Sequence, residues 1–178
     1  AFANYAPKLY ADYQLHLDTL FSSNLPNLDR LFPAHVSVFP TAAFNVGPNV
    51  WTYKHRDTQN LPYGWCAIHA LGSFDPTKGG HLILWEPRLI IEFPPGALIF
   101  IPSAVITHSN VPISEGETRS SFTQYAPGGL FRFVDAKLHL MKDLATKDPE
   151  HYQKMLDDQP YRWRRGLGLL STIDEIRK

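Results

Sequence analysis

Between residues 43 and 135 the sequence is a succession of short apolar, β-branched or aromatic runs. Turn-forming clusters such as DPTKGG, PPG, ISEGE and APGG separate most of them. Runs of this length and spacing are typical of β-strands that pair in antiparallel order. The sequence therefore predicts an antiparallel sandwich or a small barrel such as a jelly roll, built from about eight strands: VWTY, WCAIHAL, HLILW, RLIIEF, ALIFI, AVITHS, SFTQY and LFRFV.

Helical patterns lie on both sides of this region. Residues 8–21 carry leucines and a tyrosine at helical spacing, and the segments KLHLMKDLATK and PEHYQKMLDD follow Asp135. A chain of 178 residues is long enough for one domain with a sizeable core. We therefore expect a single domain over 1–178, mainly β with flanking helices: an N-terminal helix at 8–21, a barrel core at about 43–135 and a C-terminal helical segment at 136–178.

Composition excludes several classes of protein. Seventeen basic and seventeen acidic residues give a formal net charge of zero, which argues against a general polyanion binder but leaves a local basic patch open. Cys66 is the single cysteine, so the chain has no internal disulfide and no multi-cysteine zinc site. No run of eighteen apolar residues and no secretion signal is visible. We expect an intracellular protein, nuclear or cytoplasmic, without membrane contact.

Residues 53–66, YKHRDTQNLPYGWC, place polar side chains in a predicted strand, where they need partners or a task. The His-Arg-Asp triplet also occurs in protein kinases, but the other kinase motifs are missing here. Side chains two apart in a strand share a face, so His55 and Asp57 point the same way. His108 closes a later predicted strand. Two histidines and one carboxylate form the facial triad of non-haem Fe(II) oxygenases, which predicts a metal site with open positions.

Arg119 follows His108 with ten residues between them. If Glu115-Gly116 is the tip of a two-residue hairpin, His108 faces Thr123, and Arg119 lies four residues further on the same face, roughly 13 Å away. A guanidinium at that distance suits the far carboxylate of a small diacid that chelates the metal at its near end. The alternative for Arg119 alone is a surface or ion-paired residue.

Several motifs of this sequence resemble those of the Fe(II)/2-oxoglutarate-dependent dioxygenases, and the resemblance is greatest to the compact fungal members of the TET/JBP branch. His55-Arg56-Asp57 with Asn60 matches the branch's HRDxxN motif, and Arg119, Ser121 and Tyr125 match its RxSxxxY motif. The stretches LPYGWCAIHALGSFDPTKGGHLILWE and SFTQYAPGGLFRFVD carry the same likeness.

The resemblance implies a double-stranded β-helix core of the jelly-roll, cupin-like kind. It implies Fe(II) on His55, Asp57 and His108, and 2-oxoglutarate as co-substrate on Arg119 and Ser121. It further implies that Asn60 and Tyr125 contact a flipped base, and that the enzyme oxidises the 5-methyl group of a pyrimidine such as 5-methylcytosine in DNA or RNA, consuming 2-oxoglutarate and dioxygen.

The sequence departs from the TET pattern at two points that bear on the substrate. Pro127 stands where animal TET enzymes have a base-contacting histidine, and their cysteine-rich zinc region has no counterpart here. Two other functions therefore stay open: a 2-oxoglutarate-dependent hydroxylase of a small metabolite, and a non-catalytic cupin-like binding module. For Asn60 the structural alternative is a turn cap, and for Tyr125 it is core packing.

Overall fold

The computed structural model describes residues 1–177 and divides the chain into two compact units. One unit is all β and comprises residues 41–126. The other is helical and comprises residues 1–40 together with the residues from 127 onward. The single domain over the whole chain stays a prediction.

The β unit is made of two antiparallel sheets. Its seven strands are β1 (Thr41–Asn45), β2 (Cys66–Ser73), β3 (Leu82–Leu84), β4 (Leu89–Ile91), β5 (Leu98–Ile101), β6 (His108–Asn110) and β7 (Thr118–Tyr125). One sheet has the order β1-β7-β2-β5 and the other the order β4-β3-β6. Most connections cross from one sheet to the other, which is the winding of a double-stranded β-helix. The predicted fold class is confirmed.

The core of this unit is formed by alternate side chains of its strands. Cys66 and Ala70 on β2 and Leu82 and Leu84 on β3 are buried in one cluster. A strand turns successive side chains to opposite faces, so each strand contributes every second residue to the cluster. Full burial of an aliphatic side chain such as Leu82 stabilises the fold by about 1.5–3 kcal/mol.

The helical unit contains α1 (Phe2–Tyr5), α2 (Pro7–Phe21), α3 (Gly128–Asp135), α4 (Met141–Lys147), α5 (Pro149–Leu167) and α6 (Ile173–Ile176). The predicted helix at 8–21 is confirmed as α2, which begins at a proline that suits the first helical position. Its apolar stripe is buried, and the Tyr13 ring lies 5.0 Å from that of Phe131 on α3. No helix among residues 1–177 is long and apolar enough to cross a membrane.

Two predicted strands are wrong and a third is displaced, because His108 opens β6 instead of closing the run AVITHS, of which residues 104–105 lie in a turn. The run LFRFV lies in helix α3, so the barrel core ends at residue 126 rather than 135, and the C-terminal helical segment begins earlier than predicted. Its apolar residues also fit a helical repeat, and packing of Phe131 on Tyr13 decides between the two. The run VWTY forms no strand of its own, and β1, which was not predicted, supplies the edge of the larger sheet.

Candidate metal centre and its pocket

The segment 48–55, here called the crossing segment, connects the two sheets. At one end Arg119 donates its backbone N–H to the Pro48 carbonyl at 2.9 Å, and Val50 donates to the Arg119 carbonyl at 2.9 Å. At the other end His55 and His108 exchange two backbone hydrogen bonds of 3.0 and 2.9 Å. This isolated bridge, rather than a strand, brings His55 opposite His108.

The three candidate metal ligands converge at this bridge. The ligand atoms of His55, Asp57 and His108 all lie within 4.8 Å of one another, and the two imidazole centroids are 4.3 Å apart. Asp57 lies beyond the bridge, in the turn that leads to Asn60, and its backbone N–H donates to the Ser103 carbonyl at 2.9 Å. The side chains of His55 and Asp57 meet as expected, but a turn brings them together rather than the alternation of side chains along a strand.

Both histidines are held in the same tautomer by the backbone. Nδ1 of His55 donates to the Tyr53 carbonyl at 2.7 Å, and Nδ1 of His108 donates to the Ile106 carbonyl at 3.0 Å. Each Nε2 is therefore left with its lone pair toward the shared space, the arrangement that metal-binding histidines commonly have. Burial lowers the pKa of His108, which favours the neutral imidazole that a metal requires.

A cavity of about 570 Å³ opens beside the three ligands, a size typical of small-molecule sites. Its wall includes the predicted residues Asn60, Ser121 and Tyr125. The polar residues of the wall that were missed in the sequence include Asn45, Thr52 and Asn110. The signal for Asn110 was available, because it stands two residues after His108 and therefore shares its strand face.

Among residues 1–177, Arg119 is the largest fully buried side chain, with 1% of its surface exposed. Its Nη1 donates to the Val50 carbonyl at 2.7 Å, while its Nε and Nη2 are buried without a hydrogen-bond partner. Burial lowers its pKa. Gly72 stands opposite Arg119 on β2, where a Cβ would come 2.2 Å from the Thr118 carbonyl oxygen, so only glycine fits there.

The predicted hairpin between β6 and β7 is wrong. The two strands belong to different sheets, and Thr123 pairs with Ala43 and Ile68 rather than with His108. The physical reason is that a short turn can join strands of opposite sheets as easily as neighbours in one sheet. Alternation along β7 nevertheless places Arg119 on the same face as Ser121 and Tyr125.

Asn60 is turned toward the candidate metal ligands. Its Nδ2 donates to Ser103 Oγ at 3.1 Å and lies 3.4 Å from Asp57 Oδ2. Its backbone N–H donates to the Asp57 carbonyl at 2.9 Å, which closes the turn. Ser103, a buried residue that the sequence did not single out, thus holds both the backbone of Asp57 and the amide of Asn60.

The remaining predicted residues have partners of their own. Ser121 is buried, and its Oγ accepts from Asn45 Nδ2 at 3.1 Å. Tyr125 is partly buried and packs against the core cluster while lining the cavity. Within residues 1–177, no second group of three metal-ligating side chains meets in this way.

The fold and the site together define a double-stranded β-helix protein with a cluster of two histidines and one carboxylate. No protein-family model matches the chain, and no curated protein matches it. Among solved structures, it is similar to NgTET1 in complex with 5mC DNA, at 22% identity and a TM-score of 0.44, over 52% of this chain and 35% of that one.

The chain is also similar to the viral collagen prolyl hydroxylase vCPH from Paramecium Bursaria Chlorella virus-1, whose structure is a 2OG complex, at 18% identity and a TM-score of 0.35. That match covers 49% of this chain and 62% of the hydroxylase. The chain thus spans less than two thirds of either structure. The fold class stated above follows from the chain's own strand order and register.

Proposed function

We propose that this chain is an Fe(II)- and 2-oxoglutarate-dependent dioxygenase that hydroxylates a C–H bond, with the 5-methyl group of a pyrimidine base in nucleic acid as its substrate. One observation carries the proposal. A compact set of two imidazoles and a carboxylate lies in the same unit as a buried guanidinium that has two nitrogen donors, Nε and Nη2, without partners.

The residues fit a divalent metal ion. Donors bound at about 2.0–2.2 Å on one face of an ion lie about 3 Å apart, and His55 Nε2 and Asp57 Oδ1 are already 3.6 Å apart. The donor of His108 lies within 4.8 Å of the other two. Neutral imidazole with a carboxylate suits Fe(II), and three protein ligands leave positions for other molecules.

The residues also fit a dicarboxylate. An unpaired buried charge is costly, and a carboxylate is the partner that would satisfy two N–H groups of Arg119 at once. In the proposed function, Arg119 and Ser121 hold the distal carboxylate of 2-oxoglutarate. When bound, Fe(II) and 2-oxoglutarate would supply the chemistry of hydroxylation, with dioxygen as the oxidant: one oxygen atom would enter the C–H bond as hydroxyl, and the other would enter the succinate formed as 2-oxoglutarate loses carbon dioxide.

The chain's own side chains then have distinct tasks. His55, Asp57 and His108 hold the ion, and the carbonyls of Tyr53 and Ile106 keep both imidazoles in the binding tautomer. The Asn60 amide restrains the second oxygen of the Asp57 carboxylate. This leaves one side of the cluster open to the cavity.

The nucleic-acid substrate is supported by the HRDxxN and RxSxxxY motifs and by Tyr125, whose ring in the cavity wall could stack on an extruded base. A small-metabolite substrate is favoured by the direction of the Asn60 amide nitrogen, which points at Ser103 and Asp57 rather than into free space. The zero net charge favours the same alternative.

The test is succinate formation by the purified protein with Fe(II) and 2-oxoglutarate, together with mass spectrometry of methylated and unmethylated DNA and RNA oligonucleotides. We expect succinate, and an oxidised base on the methylated strand. Succinate without any oxidised base would favour the small-metabolite hydroxylase. Absence of succinate under all conditions would support the binding module. Asp57→Ala is the control that removes the metal.

A further inference from the structure

Asn110 has the same peculiarity as Arg119, a buried donor without a partner. Its side-chain Nδ2 is inaccessible to solvent and has no hydrogen bond, while its Oδ1 accepts from Thr52 Oγ1 at 3.2 Å. We propose that Asn110 is a second hydrogen-bond donor to the distal carboxylate of the co-substrate and helps to select a dicarboxylate over a monocarboxylate. This inference rests on the proposed function.

The position of Asn110 follows from the crossing segment. Arg119 donates a guanidinium N–H to the Val50 carbonyl, and Thr52 donates its hydroxyl to the Asn110 side-chain oxygen. Further along, the backbones of His55 and His108 exchange two hydrogen bonds. The crossing segment therefore contacts, in order, the proposed carboxylate anchor Arg119, the side-chain amide of Asn110 and the candidate metal ligand His108. Asn110 stands two residues from His108 on the same strand face, about 6.6–7 Å along β6. A molecule that extends from the triad in the reverse of this order reaches Asn110, which lines the cavity, before Arg119, which is not part of the cavity wall.

The chemistry of the missing partner follows from the atoms. Because Thr52 occupies the acceptor of the amide, the group that Asn110 lacks is itself an acceptor. In the same unit, the Arg119 guanidinium also lacks an acceptor, at Nε and Nη2. A carboxylate has two oxygens and about four acceptor positions, so one carboxylate can serve both residues.

Binding measurements separate this role from a structural one. Isothermal titration calorimetry on Mn(II)-loaded protein, without oxygen, compares 2-oxoglutarate with 2-oxopentanoate, which lacks the distal carboxylate. For Asn110→Ala we expect roughly ten- to hundredfold weaker binding of 2-oxoglutarate and unchanged binding of 2-oxopentanoate. Asn110→Asp keeps the shape but repels the carboxylate, so its loss should be at least as large.

The neighbour Ser109 provides the matched control. Its hydroxyl accepts from Trp85 Nε1 at 3.2 Å and lies on the opposite strand face. Ser109→Ala should therefore bind both ligands as the wild type does. Thermal unfolding and Mn(II) titration of each variant check that the fold and the metal site persist, and the isosteric Asn110→Asp keeps the test valid if the alanine variant does not fold.

Each outcome decides the matter. Equal affinity of wild type and both Asn110 variants for 2-oxoglutarate would overturn the role of Asn110 and leave the proposed function intact. If the Asn110 variants bind both ligands more weakly by the same factor, Asn110 has a structural role, and its proposed role in binding the distal carboxylate is overturned. If the wild type binds 2-oxoglutarate no better than 2-oxopentanoate, the proposed function fails together with this inference.

Discussion

Replacing Arg119 by methionine should stabilise the ligand-free protein while removing its response to 2-oxoglutarate. The wild-type guanidinium carries two buried N–H groups without partners, and each such group costs about 1–3 kcal/mol. Methionine has no N–H group in its side chain, so both costs disappear, and its side chain fills a volume similar to that of arginine. It also leaves the Val50 carbonyl without its donor, which costs about 1–3 kcal/mol. The net expectation is about 1–3 kcal/mol of added stability, or roughly 3–10 °C in Tm.

The assay is thermal and urea unfolding of wild type and Arg119→Met, with Mn(II) and with or without 2-oxoglutarate. At one hundred times Kd, a ligand that binds only the folded state adds about 2.7 kcal/mol to the wild type, and the variant should gain almost nothing at the same concentration. Arg165→Met is the control, because its guanidinium is exposed and pairs with Asp158 at 3.4 Å. It should change stability by less than about 1 kcal/mol.

A loss of more than about 2 kcal/mol in the ligand-free Arg119→Met protein would refute the reasoning, because it would show that the guanidinium contributes to the fold through bonds that methionine cannot replace. A retained stabilisation by 2-oxoglutarate in the same variant would separately remove Arg119 as the carboxylate anchor.

Three further predictions follow from the described contacts. Asp57→Ala should abolish Mn(II) binding and succinate formation with little change in Tm, since that side chain is 33% exposed; calorimetry and unfolding test this. Asn60→Ala should weaken Mn(II) binding if its amide orients Asp57; unchanged metal affinity with loss of base oxidation alone would instead make it a substrate contact. Burial acts to lower the pKa of His16, but its bonds to Asp135 and Asp12 raise it above 6.5 overall. Stability from this group is complete below pH 6.5 and is lost as pH rises through the folded-state pKa. His16→Gln should flatten that decline in urea unfolding.

The spacing of apolar residues in the sequence predicted much of the fold, because residues that are buried on one face of a helix or strand recur at its structural period. The residues on α2 that recur at helical spacing are those that lie buried, and the short runs of the β unit mostly became strands. The failure at LFRFV has a physical cause. A run of only five residues, four of them apolar, satisfies a strand and a helix alike, and contact with Tyr13 selects the helix.

The candidate site was accessible to sequence reasoning in its residue types but not in its geometry. His55 and Asp57 were expected to meet through strand alternation, yet a backbone bridge and a turn position them. The pairing of β7 was also not predictable, because turn residues at 115–116 do not specify which sheet the next strand joins. Ser103 was missed because its importance lies in contacts with residues far away in the chain, whereas Asn110 could have been found from its spacing to His108.

The distribution of unsatisfied polar atoms gives the most direct argument for where a ligand binds. Within residues 41–126, the buried side-chain polar atoms that lack a partner belong to Asn110 and Arg119. Folded proteins pair nearly all such groups, so two orphans in one small unit call for an explanation. Both are donors, both are bonded to the crossing segment, and this segment also carries His55. A fold selected for stability alone would replace them with apolar residues. Their presence in the unit that holds the candidate ligands is what we expect of a site whose missing acceptor arrives with an anion.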